Sequence, residues 1–195
     1  ILERFIHFMA VVALPIGVGM TALGYDIIVA LCGEDWAPGT PAAIVLTWVI
    51  AFAMIDRAFV VFLRARARQH LLVYVFAAAL ALKAGIGYVA IQRYSDSGLL
   101  ALNMVLSAGM TVALATITAR LVPGFSLLRL AHLLARPLLA AGVMGVLLLG
   151  VRGYFIGLTV PFGALVYFAV LYAVGGIDAF DRQLVRSTLS RGAPR

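Results

Sequence analysis

Residues 50–83 read IAFAMIDRAFVVFLRARARQHLLVYVFAAALALK. Two apolar runs flank a knot of alternating cations, Arg64, Arg66 and Arg68, followed by His70. Few folds accommodate such a stretch. A run of about twenty apolar residues matches the ~30 Å of hydrocarbon that a membrane helix crosses. Only a helix satisfies its own backbone polar groups along a run of that kind. Two runs joined by a short basic stretch therefore predict two antiparallel membrane helices with a tight turn. The arginines put that turn on the cytoplasmic side by the positive-inside rule.

The same pattern recurs along the 195 residues. The hydrophobic share is 64%, against about 45–50% in soluble domains. The predicted fold class is all-α integral membrane, a six-transmembrane-helix bundle over residues 1–176, with no room for a sizeable soluble domain. The net charge of +7 would suggest nucleic acid in a soluble protein. Here the cations sit at the ends of apolar runs, so membrane topology accounts for them and no nucleic-acid partner is expected. Cys32 is alone, which excludes an intrachain disulfide and a Cys/His metal site; no cofactor is expected.

The first predicted span is residues 5–23. Pro15, with Gly17 and Gly19 after it, removes one helix hydrogen bond and predicts a bend. Gly24-Tyr25-Asp26 predicts a break, with Asp26 capping a short surface helix over 26–31. The stretch 32–40 holds Glu34 and Asp35 and no Lys or Arg, which predicts an outer loop with Trp36 at the interface. Spans follow at 41–63, 71–91, 98–121, 137–151 and 154–174, the last bent at Pro161. In the stretch 125–136, Arg129, His132 and Arg136 stand at i, i+3 and i+7 among leucines. This predicts an amphipathic helix in the inner interface, its basic edge toward anionic headgroups; the alternative is the frayed start of the fifth span. Residues 177–195 form a basic cytoplasmic tail. Its acidic pair, Asp178 and Asp181, has no further acidic partners.

Charge placement orients this topology. On one side lie Arg4, the arginines of the 64–68 turn, Arg120, Arg129, Arg136 and four tail arginines; only Arg93 and Arg152 lie on the other. Both ends of the segment are thus expected in the cytoplasm of a multi-pass cytoplasmic-membrane protein.

Two cations and an acid remain inside the spans. An intramembrane charge costs ~2.5–3.5 kcal/mol on insertion scales and marks a bundle interior or a wet cavity. Lys83 lies roughly 18 Å into the third span, at ~1.5 Å per residue. Asp56 lies roughly 12 Å from the inner end of the second, by the same rise. Side chains lean toward their own helix N-terminus, so on antiparallel neighbours these two lean together, and a Lys83–Asp56 pair is expected. Asp56 reads either as an ion-coupling site or as a plain counter-ion. Arg57 is adjacent to Asp56 and faces elsewhere; it either serves a cavity or snorkels to the inner surface. Asn103, Ser107 and Thr111, at i, i+4 and i+8, read as polar glue between helices.

The motifs LPIGVG (14–19) and IIVALCGEDWAP (27–38), the basic turn after the second span, and RYSDSG (93–98) resemble the C-terminal half of Wzx-type oligosaccharide flippases. These are the polysaccharide-biosynthesis branch of the multidrug/oligosaccharidyl-lipid/polysaccharide exporter superfamily. Ser95 departs from the pattern, where that family usually has glycine. The resemblance implies one lobe of a two-lobe, MATE-like transporter, with an N-terminal lobe of the same chain as partner. It implies translocation of a polyprenyl-pyrophosphate-linked glycan across the cytoplasmic membrane, by alternating access, for surface polysaccharide or lipopolysaccharide biosynthesis. Lys83 and Arg57 would then meet the pyrophosphate.

Three other classes stand beside this expectation, the least specific being a non-transporting assembly subunit. An ion-coupled small-molecule or multidrug exporter would depend on Asp56 more than on Lys83. A membrane enzyme acting on lipids would carry clustered Asp residues, a Gly-x-Ser-x-Gly elbow or an HExxH pair. None is in the sequence, so an enzyme is not expected.

Overall fold

The computed structural model describes the backbone of residues 2–122, 125–151 and 156–175, and side chains there except at 89–91, 93–97 and 127. The side chains of Arg93 and Asp96, and residues 1, 123–124, 152–155 (with Arg152) and the tail beyond 175, thus lie outside the described residues. Five α-helices and one 3-10 turn make up the described chain: α1 (Leu2–Cys32), the 3-10 turn (Glu34–Gly39), α2 (Thr40–Ala65), α3 (Gln69–Leu121), α4 (Leu127–Gly150) and α5 (Ile156–Ala173). They supply six stretches long and apolar enough to cross a membrane, two of them, Gln69–Tyr88 and Gly98–Leu121, within α3.

A straight helix of the 53 residues in α3 would reach about 80 Å. Instead α3 folds back on itself. Leu121, at its end, shares a recess with Arg68, at its start, and with Phe62 and Leu63 of α2. Near the bend, a Cβ on Gly87 would lie 3.7 Å from Leu102 and 4.0 Å from Leu99. The helical backbone therefore reverses between residues 88 and 98, where the sequence reads a turn, and its two limbs run antiparallel.

α1 is the hub, packed against α2, α4 and α5. Its neighbours approach through missing side chains. A Cβ on Gly17 would press on the Trp48 ring of α2 at 3.2 Å, and one on Gly24 would meet Ile44 at 3.2 Å. Gly145 of α4 admits Val18 so closely that a Cβ there would sit 2.6 Å from it. Hydrogen bonds reinforce these contacts. Trp48 Nε1 donates to Thr21 Oγ1 at 3.0 Å, and Thr21 donates to the Gly17 carbonyl at 2.9 Å.

Two expectations are corrected here. α1 does not break at Gly24-Tyr25-Asp26 but runs unbroken to Cys32. Gly24 serves close approach to α2 rather than a turn, and Asp26 is interior to the helix rather than its cap. Nor is 125–136 a helix apart from the fifth span: α4 runs from Leu127 through Pro137 to Gly150. The reason is a single buried stripe, Leu130, Pro137, Ala141, Met144 and Leu148, that crosses the proline at heptad-like spacing. Proline's fixed φ suits a helix, and only the hydrogen bond to residue 133 is lost. Arg129, His132 and Arg136 are exposed in the first turns of this helix, away from the stripe, and Arg136 donates to the Gly175 carbonyl at 3.0 Å.

Pro15 of α1 likewise has no N–H for the carbonyl four residues back, at Val11. The Tyr167 hydroxyl of α5 donates to that carbonyl at 2.8 Å. A buried carbonyl left without a donor costs ~1–3 kcal/mol. Tyr167→Phe is therefore expected to destabilise the protein by about 1–3 kcal/mol. In a Pro15→Ala background, where residue 15 regains its N–H, the same change should cost far less. Unfolding of the four proteins in one detergent measures the difference; equal costs in both backgrounds would contradict this account.

Candidate functional site

An open groove of about 810 Å³ lies between the C-terminal end of α2 and the first limb of α3. Arg64, Gln69 and His70 line its mouth; Leu72, Val73, Phe76, Ala77 and Leu80 line its wall. The groove exists because the first limb is little buried: Val73 is 66% exposed and Leu80 69%. The mouth is shaped by the α2–α3 turn, where Ala67 takes a left-handed φ of 54°. That turn sends Arg64 to the groove, while Arg66 and Arg68 line the smaller recess beside Leu121.

Two further cations stand beyond the groove's lining, each one heptad from a lining residue on the same helix. Arg57 stands one heptad before Arg64 on α2 and is exposed. Lys83 stands one heptad beyond Phe76 on α3 and is exposed. Residues seven apart share a helix face. The groove therefore begins at Arg64 and His70, passes the level of Arg57 about 12 Å from the end of α2, and leads toward Lys83 about 21 Å along α3, at ~1.5 Å per residue.

Asp56, the neighbour of Arg57, faces about 100° away. It is 8% exposed, and its side chain lies beside that of Thr111 on the second limb of α3. Thr111 Oγ1 also lies 3.2 Å from the Ser107 carbonyl. One carboxyl oxygen of Asp56, Oδ1, is buried and has no partner.

The expected Lys83–Asp56 pair is thus not formed. The leaning of side chains along their helices was a sound argument about height, but height also separates the two, at about 13 Å and 21 Å from the arginine end by ~1.5 Å per residue. Azimuth decides the rest, since Asp56 turns to the second limb and Lys83 sits on the first. Sequence reasoning treated Thr111 as helix glue, and it does stand where α3 meets α2. It missed Thr111 as the neighbour of Asp56, for which the only signal was the shared depth of the two residues.

A second recess, of about 630 Å³, runs along α1 between α4 and α5, with Pro15, Met144, Gly163 and Tyr167 among its lining. Among the described residues it carries no charged side chain, and its hydroxyls, Thr47 and Tyr167, already donate to helix carbonyls. Among the described residues, no group of three or more His, Cys, Asp or Glu side chains is placed to hold a metal ion.

No family model, no curated protein and no solved structure matches this chain.

The two adjacent residues of α2 make opposite claims about water. In a chain carrying Cys32→Ser, which removes the exposed native thiol, Arg57→Cys and Lys83→Cys are expected to react with a membrane-impermeant maleimide in intact vesicles. Asp56→Cys is expected to stay unreacted until the protein is unfolded. Equal labelling at 56 and 57 would contradict the burial described here.

Proposed function

We propose that this chain is one lobe of a two-lobe transporter that carries a polyprenyl-pyrophosphate-linked oligosaccharide across the cytoplasmic membrane. The observation that carries the reading is the pair of exposed intramembrane cations, Arg57 and Lys83, on the two helices that border a groove with a basic mouth and an apolar wall. Charges at that depth are costly against lipid and are kept where an anion or water meets them. A pyrophosphate offers several charged oxygens to such a stripe, and charge-assisted bonds of this kind are among the strong ones. The motif resemblance at 14–19 and 27–38 supports the same substrate class. In this reading the second lobe closes the groove, the two lobes rock in alternating access, and no bond is made or broken, so the chain is not an enzyme.

An ion-coupled exporter of small molecules is the second reading. One observation favours it: the unpartnered, buried oxygen of Asp56, which a bound cation or proton would satisfy.

The test uses a strain lacking its surface-glycan flippase. The gene encoding this chain is expected to restore surface polysaccharide. Lys83→Ala, at equal membrane abundance, should lower the yield about tenfold or more, the loss of one charge-assisted contact. Restoration by both would remove Lys83 from substrate recognition. Restoration by neither, together with drug or ion efflux that Asp56→Asn abolishes, would favour the exporter.

A further inference from the structure

The groove joins two chemistries end to end. Arg64, Gln69 and His70 make its mouth polar and basic, and Val73, Phe76 and Leu80 make its wall apolar. An occupant that matches both ends has an anionic, oxygen-rich head and a hydrocarbon tail. We propose that the groove is a docking site for a net-anionic membrane lipid with a terminal phosphate head, the head held by Arg64 and His70 and an acyl chain laid along Val73, Phe76 and Leu80.

Charge complementarity selects this occupant. The Arg64 guanidinium presents paired donors that a phosphate accepts two at a time. A zwitterionic or uncharged lipid gives the mouth less to hold. A second copy of this chain docking by the same face would be related by a two-fold axis, which brings the like-charged Arg64 residues of the two copies to one face. The turn assigns the cation as well: Arg66 stands over the Phe62 ring, 5.4 Å from its centroid, and with Arg68 lines the other recess, whereas Arg64 opens on the groove. The site deepens the transport reading, since a head held here stands at the foot of the Arg57–Lys83 stripe. It requires no glycan and is tested by binding alone.

Ala77 lies on the groove wall and is exposed, so Ala77→Trp places an indole beside the proposed chain. The full chain is reconstituted in phosphatidylcholine vesicles containing brominated-chain phosphatidic acid or brominated-chain phosphatidylcholine. Quenching is read as the increment over the unsubstituted protein. Half-maximal quenching is expected at about tenfold lower mole fraction for the phosphatidic acid, and Arg64→Gln with His70→Gln should remove that preference. Equal quenching by the two lipids overturns the proposal, and that comparison needs no charge variant to fold. A preference that survives the double substitution also overturns it. So does a preference abolished by millimolar inorganic phosphate, which would assign the mouth to the free anion. Loss of glycan transport with the lipid preference intact counts against the transport reading alone; loss of the preference with transport intact counts against this site alone.

Discussion

The bundle depends on a carbonyl that its own helix cannot satisfy. Pro15 withholds an N–H from the Val11 carbonyl, and in a medium without water that group must find another donor. Tyr167 provides it from α5, across 156 residues of sequence. Removing an internal bond from the hub helix thus creates a specific external one. The consequence is positional. α5 is held at one height on α1, which brings Gly163 against Leu148 of α4, where a Cβ would lie 3.1 Å away. The three helices are registered by one polar contact and then packed by absent side chains.

The same logic runs along α1 in the other direction. Lipid tails are as apolar as leucine, so helices in a bilayer gain little from hiding apolar surface and associate by close packing and by interhelical hydrogen bonds. Gly17 lets the Trp48 ring lie against the α1 backbone, and the indole N–H, which would otherwise be stranded, reaches Thr21. Thr21 is itself bonded to the carbonyl of Gly17. Contact and hydrogen bond therefore arise at one point, which is why a Pro-x-Gly motif that reads in the sequence as a bend serves here as a socket.

Span number and helical content were legible because the hydrocarbon imposes a length and a periodicity that any twenty-residue run exposes. Helix ends were less so. Gly24-Tyr25-Asp26 has the composition of a break, and only the neighbouring Ile44 reveals the glycine as a notch. Pro137 has the look of a first turn, and only the buried stripe from Leu130 to Leu148 carries the helix through it. Of the site, the depth of Asp56, Arg57 and Lys83 could be counted along the chain. Their azimuth could not, because the facing of a membrane helix is set by which neighbours fill its notches, and those neighbours lie far off in sequence.

Asp56 and Arg57 show what azimuth is worth. They stand at nearly one depth, about 100° apart around α2. The acid is enclosed against Thr111, while the base is exposed on the face that leads to Arg64 and the groove. Turned by that angle one way, the helix would have placed Asp56 among the cations; turned the other way, it would have buried Arg57 where Asp56 now lies. The observed rotation keeps the groove's charge of one sign and removes the nearest acid from it. A face that preserves uncompensated cations within an apolar span is costly as a structural element alone, and the cost falls where water, a headgroup or another anion meets them.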